Sequence, residues 1–588
     1  MTIFFDVIED DPKKCVFVTN AEGNDVIRAP LLNKGTAFPE DERKRFRLDG
    51  LLPPRVLSLD QQIEKIYQRF CRLGSFYDIL TSYQHDSSTL PALKKTIDIA
   101  RFNFLRDLHD RNEILFYAFC SRHLIDVLPI IYTPTVGDAV MRFSRDSARF
   151  RGIFLSPTNI ASTSQIFSQF RFQRPTIAVV TDNQGILGLG DQGVGGIDIP
   201  VGKLALYVLG AGIRPWETMP LTLDVGTNND RDLHDPLYLG YKAGRLEGED
   251  YSAFLDQFVQ GIHDAFPGIL IQWEDFSKQN AFSILDKYRD RVLSFNDDIQ
   301  GTGSVALAGL LNAMKIKNEE LCDQQFIVYG AGAGGVGIAR RIAQCLQVKY
   351  QLSASQACER IYLLDSKGLV TNARPVEDYK KPFVCKQSCY QQWEVVNENH
   401  ITLDEVIRNA AATVLVGTSG RAGHFTQDIV QQMLNNTPRP VIFPLSNPTA
   451  NSEATPEDIL QVTQGKAIVA TGSPFDPVQV KGTTLEIGQG NNFFIFPGVG
   501  LGAILSKGQY IPDAVFTEAA YVLAELTPQK LLDKGTVYPS IADIRSISAQ
   551  IAYRTIQEIA RDQDRDDLSL SAVKAAMWKP GYHTLKKR

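Results

Sequence analysis

Two acidic pairs, Glu274-Asp275 and Asp297-Asp298, each end an apolar segment. Hard divalent cations such as Mg²⁺ and Mn²⁺ take oxygen ligands, commonly carboxylates completed by water and substrate. Four carboxylates near one sheet edge repel one another unless a cation or a lysine joins them. The same pairs also suit helix starts, as in Phe295-Asn296-Asp297-Asp298-Ile299-Gln300-Gly301, where carboxylates meet amide donors. Spacing alone leaves both readings open. Lys203 lies in Ile199-Pro200-Val201-Gly202-Lys203-Leu204, at the start of an otherwise apolar helix. A lysine there either snorkels to the surface or, with a cation nearby to depress its pKa, serves as a base. Tyr132, in Ile131-Tyr132-Thr133-Pro134-Thr135, is on its own an ordinary partly buried tyrosine. None of the eight histidines forms an HxxxH ligand pair. Cys385 and Cys389 hint weakly at zinc, but no second pair completes a tetrahedral set.

A second chemistry is written in glycines. Gly330-Ala331-Gly332-Ala333-Gly334-Gly335 is a GxGxxG that follows an apolar strand and opens a helix. Gly330, Gly332 and Gly335 then give a tight turn, close approach to a pyrophosphate, and a helix N-terminus facing the anion. Asp365 ends the next strand, where a carboxylate binds a ribose diol, although it lies beyond the usual spacing of about 20 residues. The segment 337–360 has room for the longer helix this requires. Gly188-Leu189-Gly190-Asp191-Gln192-Gly193 is a second GxGxxG in similar surroundings. Either is also readable as a plain strand–helix turn; the four strands that follow favour 330–335 as the dinucleotide site.

These residues need elements to hold them. The first 150 residues read as mostly helical. Ile63, Ile66, Tyr67 and Phe70 share one helical face, and Phe104, Leu105, Leu108, Leu115 and Phe116 recur among polar residues in 96–125. Beyond residue 150, short β-branched runs alternate with helices. Thr176–Val180, Leu221–Leu223 and Ile269–Trp273 each end in carboxylates. Near-continuous apolar strands followed by helices mean a parallel sheet covered on both faces, with ligands beyond the strands' carboxyl ends. A second set has strands at 326–329, 361–364, 413–416, 441–443 and 467–470. Its helix 455–463 is opened by Thr455 as N-cap and Pro456 at the first position. From about 492 the chain is helical, ending in a basic, solvated tail, Leu585–Arg588.

The composition excludes other classes. The chain has 588 residues, 44% hydrophobic and 22% charged, with a net charge of −6. That is ordinary globular composition, not a disordered scaffold. Mild acidity offers no electrostatic footprint for nucleic acid or an anionic membrane. No apolar run reaches about 18 residues, so no membrane span is expected. The start, MTIFFDVIEDDP, lacks the basic region of a leader. With eight scattered cysteines this reads as a reduced, cytoplasmic protein.

Twelve segments occur in an order that resembles the malic enzyme family, NAD(P)-dependent oxidative decarboxylases of malate. They are LLNKGTAF (31–38), GLLPP (50–54), RNEILFY (111–117), IYTPTVG (131–137), GILGLGDQGVGG (185–196), PVGKL (200–204), DVGTNN (224–229), WEDF (273–276), FNDDIQGT (295–302), PLSNPT (444–449), ATGSPF (470–475) and GQGNNFFIFPG (488–498). The resemblance implies an α/β protein with a helical N-terminal region over 1–150. A central discontinuous α/β domain with a parallel sheet would take 151–297 and 492–560. A Rossmann-like dinucleotide-binding domain would take 298–491, leaving a C-terminal helical tail over 561–588.

By the same resemblance, Tyr132 matches the family's general acid, Lys203 its general base, and Asp297 an aspartate that supports the lysine. Glu274, Asp275 and Asp298 match the ligands of Mn²⁺ or Mg²⁺. Ser419 and Asn447 join Gly330, Gly332, Gly335 and Asp365 at the cofactor, and Lys203, Asn447 and Asn492 match substrate contacts. The implied substrate is L-malate, and a homodimer or tetramer is common in the family. Arg111 matches a position used by an activator site in some members. The family's ERILGLG is replaced here by Asn183-Gln184-Gly185-Ile186-Leu187-Gly188, so Gly185 stands where an arginine is usual. Malolactic enzymes, which release lactate with bound NAD, have glycine there. Gly301-Thr302-Gly303 and Val416-Gly417-Thr418-Ser419 also look malolactic. Tyr132-Thr133-Pro134 and Gly472-Ser473-Pro474-Phe475 look like malic enzymes, which puts that reading ahead. Asp365 favours NAD; Ser366 and Lys380 resemble NADP-using members, unless Lys380 is merely a surface charge.

Overall fold

A computed structural model describes residues 5–8, 15–83, 90–147, 149–170, 174–186, 188–565 and 567–588. Leu187 of the GILGLG motif and most of the start, MTIFFDVIEDDP, lie outside the described residues. The chain forms two compact units, Met1–Ile271 with Ser569–Arg588, and Gln272–Leu568. These limits fall elsewhere than the four segments read from the sequence.

The first unit holds the expected helices. Leu59–Tyr83, Leu90–Arg111, Glu113–Arg122, Leu124–Ile131 and Thr135–Val140 follow one another closely. Ile63, Ile66 and Phe70 are buried along one face of the first of these, and Leu105 and Leu108 along the second. Asn112 caps Glu113–Arg122 by accepting from the Leu115 amide at 3.0 Å; such a cap is worth about 1 kcal/mol. The N-terminal region is not purely helical, however. Strand Phe5–Ile8 pairs antiparallel with Val16–Thr19, and Thr584–Lys587 pairs parallel with Val16–Thr19. The tail's basic residues are exposed, as read, but the tail is a strand with Leu585 buried; the short helix Leu570–Ala576 precedes it.

Strands Ile153–Leu155, Thr218–Leu223 and Ile177–Thr181 lie side by side in that order, all parallel. The Ile177–Thr181 strand is buried throughout, as a strand covered on both faces must be. Behind it, Gly193–Ala211 is long and apolar enough to cross a membrane by length and composition. The count of apolar runs missed it because Asp198 and Lys203 interrupt it. It is 94% buried inside the protein, as a core helix is.

The second unit is built on a seven-stranded sheet. Its order is Gly368–Leu369, Ile361–Asp365, Phe326–Tyr329, Val414–Gly417, Val441–Pro444, Ile468–Thr471, Gly488–Gln489. All neighbours are parallel except Gly368–Leu369, which turns back on Ile361–Asp365. All five strands expected here are present. From Phe326–Tyr329 the chain goes first to one side, to Ile361–Asp365, and later to the other, to Val414–Gly417. That reversal is a topological switch point, where such sheets bind ligands. The helix Ala333–Tyr350, of 18 residues, starts just beyond Phe326–Tyr329 and accounts for the long interval before Asp365. Thr455 caps Pro456–Val462 by accepting from the Asp458 amide at 3.1 Å, as its sequence indicated.

Candidate active site

Strand Leu270–Trp273 runs directly into Glu274 and Asp275 of the second unit. Strand Ser294–Asn296 runs into Asp297 and Asp298, which open a wide helical turn, Asp297–Gly301, ahead of helix Thr302–Lys317. Asn296 fixes that turn by accepting from the Ile299 amide at 2.9 Å. The sequence left metal binding and helix capping open, and here a helix start also presents a carboxylate. Oxygens of Glu274, Asp275 and Asp298 lie within 4.8 Å of one another. No other trio of His, Cys, Asp or Glu meets so closely among the described residues. Glu274 and Asp275 are buried. The Asp275 amide donates to Asp298 Oδ2 at 2.7 Å, and Gln272 Nε2 donates to Glu274 Oε2 at 2.7 Å. Asp275 holds a left-handed backbone, φ 55°, a cost of about 1–3 kcal/mol for a non-glycine residue when strained, typical of ligand clamps. Three converging carboxylates repel strongly where water is scarce, and a hard divalent cation relieves that repulsion. The donor set is the all-oxygen kind that Mg²⁺ and Mn²⁺ take.

Asp297 points to a different partner. Asn492 Nδ2 donates to Asp297 Oδ2 at 3.2 Å and to Thr302 Oγ1 at 2.9 Å. Gly301 permits this: a Cβ there would collide with Asp297 Oδ1. Two residues far apart in sequence, each singled out from it, are therefore in contact.

In the first unit, Lys203 is 1% exposed, which excludes the snorkelling alternative. It sits in helix Asp198–Leu206, and Tyr132 follows the last residue of helix Leu124–Ile131. The Lys203 ammonium lies 5.5 Å from the centre of the Tyr132 ring. Gly202 lets the helices approach, since a Cβ there would stand 3.1 Å from the Ile131 carbonyl.

The glycine loop 330–335 is as tight as its residues indicate. Gly330 has φ 117°, and a Cβ on it would stand 2.5 Å from the Thr418 carbonyl carbon. A Cβ on Gly335 would strike the Gly330 carbonyl. Gly332 is the residue before helix Ala333–Tyr350, whose N-terminal amides face outward for an anion. The rival loop is otherwise employed. Asp191 accepts from the Gly193 amide at 3.0 Å, from the Asn228 amide at 2.8 Å and from Thr227 Oγ1 at 2.9 Å. That carboxylate ties 188–193 to residues 227–228.

Asp365 lies at the end of its strand as expected, but it is already paired. Arg374 Nη2 reaches Asp365 Oδ1 at 2.7 Å, and Lys380 Nζ reaches Asp365 Oδ2 at 3.0 Å and Glu377 Oε2 at 2.8 Å. Burial opposes ionisation of Asp365; the Lys367 amide, Arg374 and Lys380 outweigh it and hold the carboxyl below its usual range. Lys380 is itself buried, which corrects the surface-charge reading. Ser419 donates from its amide and its hydroxyl to Glu453 Oε1, at 2.7 and 2.9 Å. Ser446 Oγ donates to the same oxygen at 2.5 Å. Asn447 Oδ1 accepts from Ser473 Oγ at 2.5 Å. Sequence reasoning missed Glu453, which is fully buried and ties the loops after two strands together. A single glutamate in a polar loop carries no signal of that. Arg374 was missed for the same reason. Arg111 is exposed and pairs with Asp107 at 2.8 Å.

A doubly wound sheet with a glycine loop at its switch point, in a chain that also gathers three carboxylates able to hold a divalent cation, defines the class of dinucleotide-binding proteins. The chain belongs to the malic enzyme family. Residues 109–289 match the malic enzyme N-terminal domain and residues 299–560 the malic enzyme NAD-binding domain. It is 41% identical over 584 residues to the NAD-dependent malic enzyme of Shewanella oneidensis, covering 98% of this chain and 99% of that protein. It is 40% identical over 585 residues to the NAD-dependent malic enzyme of Edwardsiella ictaluri, covering 99% of each. The fold is similar to that of Entamoeba histolytica malic enzyme, with TM-score 0.52 and 24% identity over 76% of this chain and 79% of that one.

Proposed function

We propose that this protein is an NAD-dependent malic enzyme that converts L-malate to pyruvate and CO₂ and requires Mn²⁺ or Mg²⁺. The observation that carries the reading is the meeting of Glu274, Asp275 and Asp298 within 4.8 Å, in a chain similar along its whole length to proteins of that name. The same similarity does not favour the malolactic alternative, despite Gly185.

Glu274, Asp275 and Asp298 would hold a divalent cation, which would supply positive charge to steady an oxyanion at malate C2. The Gly330–Gly335 loop would hold NAD, which would supply the hydride acceptor. Lys203 Nζ takes the proton of the C2 hydroxyl as hydride leaves C2. The resulting 2-keto diacid, whose carbonyl lies β to the C4 carboxylate, loses C4 as CO₂, and the electron pair moves onto a three-carbon enolate. Tyr132 Oη then returns a proton to C3, which gives pyruvate. Burial of Lys203 and Tyr132 keeps bulk water from trading protons with either group. Asn447, fixed by Ser473, and Asn492, fixed by Asp297 and Thr302, serve as oriented amides for substrate and nicotinamide. Asp365 meets the adenosine ribose, a role its ionised state supports.

Metal stripping tests the reading. After chelation the protein should lose malate-dependent NAD reduction, and Mn²⁺ should restore it. Full turnover in the chelated protein would overturn the metal's part.

A further inference from the structure

Three of the eight cysteines line one small cavity in the second unit, away from the carboxylates and the glycine loop. The cavity holds about 250 Å³. Cys358, Cys385 and Cys389 share its wall with Tyr362 and Phe383, and Lys386 pairs with Glu359 across it at 3.7 Å. Cys385 is anchored by its amide, which donates to the Val370 carbonyl at 2.9 Å. The chain then turns at once: the Cys389 amide donates to the Lys386 carbonyl at 2.9 Å. That turn keeps Cys385 and Cys389, four residues apart, on the wall of the one cavity. Cys389 is exposed, whereas Cys385 and Cys358 are half-buried.

We propose that Cys385 and Cys389 form a reversible disulfide when the protein meets a peroxide. Two cysteines joined by one tight turn and sharing one cavity wall need little backbone movement to reach bonding geometry. Their surroundings also divide the labour. The exposed Cys389 sulfur, as thiolate, attacks a peroxide oxygen; the O–O bond breaks and water or an alcohol leaves with the proton. Cys389 is then a sulfenic acid. Cys385 attacks that sulfur, the S–O bond breaks, and the hydroxyl leaves as water with the Cys385 proton. Overall, two thiols lose two electrons and two protons, and the peroxide is reduced. Burial, and the neighbouring Cys389 thiol, push Cys385 up to about 12, so it resolves rather than initiates. Burial and Glu359 raise Cys358, which leaves it a bystander. The bond would fasten the base of the 371–385 segment, which carries Arg374 and Lys380 to Asp365.

The sequence makes the test direct. Trypsin cuts at Lys386, between the two cysteines, and separates peptides 381–386 and 387–408. The full-length protein is treated with hydrogen peroxide, alkylated in denaturant, and digested without reductant. The two peptides should appear joined, two hydrogens lighter than their sum, and part again on reduction, while Cys358 remains alkylated. In Cys385→Ser, Cys389 should instead persist as a sulfenic acid captured by a dimedone probe. Both cysteines still alkylated at a peroxide dose that oxidises other thiols would overturn the proposal. So would Cys389 carried to sulfinic acid without the link, or bonded to Cys358. None of these readouts depends on malate turnover.

Discussion

The Lys203 ammonium sits 5.5 Å from the centre of the Tyr132 ring, with both side chains buried. A buried lysine costs free energy unless its charge is matched or its proton is put to use. Lys203→Ala should therefore cut malate oxidation by about 100- to 10,000-fold, the usual range for losing a general base. Tyr132→Phe should spare hydride transfer and slow proton return to C3. Deuterium exchange at C3 of supplied pyruvate measures that step. Exchange at the wild-type rate in Tyr132→Phe would assign the acid elsewhere.

Asp298→Asn keeps an oxygen for the Asp275 amide, so the local fold should persist. It removes one of three negative ligands. Mn²⁺ affinity, measured by calorimetry, should fall by at least about tenfold. An unchanged affinity would return Asp298 to a capping role.

Lys380 is committed to two carboxylates, Asp365 and Glu377. Lys380→Gln should leave the NAD-to-NADP preference within about twofold and lower stability by roughly 2 kcal/mol, below the loss for a fully buried pair because Glu377 is half exposed. Steady-state rates with each cofactor and a denaturant titration separate the effects. A loss confined to NADP would mean that Lys380 faces a 2′-phosphate.

His583 gives the fold a dependence on pH. It packs among Phe17, Trp216 and Trp578, and its Nε2 accepts from Trp578 Nε1 at 3.3 Å. Burial, then the Lys34 ammonium, lowers it to about 4. The unfolded chain takes up this proton near pH 6.5, and the folded one does so only near 4. Its contribution is thus complete above pH 6.5 and is lost as pH falls toward 4, by about 3 kcal/mol in all. His109, also lowered by burial, adds to the trend. The measurement is therefore the difference between wild type and His583→Gln, whose stability should fall less steeply across that window. Equal slopes would contradict the assignment.

What the sequence reveals and what it hides have physical causes. The strands of the second sheet are legible because each is a compact apolar run, and most run into a glycine or a carboxylate. Helix Pro456–Val462 is legible because its cap is local. Thr584–Lys587 is not: only Leu585 faces inward, and backbone pairing with Val16–Thr19 makes the strand. The carboxylate trio is legible as two acidic pairs, but its convergence depends on two strands ending together. The partners of Asp365 are invisible because Arg374 and Lys380 reach it through an irregular loop. The burial of Lys203 is equally hidden, since a lysine in an apolar helix reads the same whether its tip meets water or not.

The central claim is oxidative decarboxylation, and the product balance tests it. Purified protein is given L-malate, Mn²⁺ and excess NAD, and pyruvate, lactate, CO₂ and NADH are counted together. The account predicts pyruvate, CO₂ and NADH in equal amounts. Lactate equal to the malate consumed, with no NADH accumulating, would contradict it and make Gly185 the mark of a malolactic enzyme.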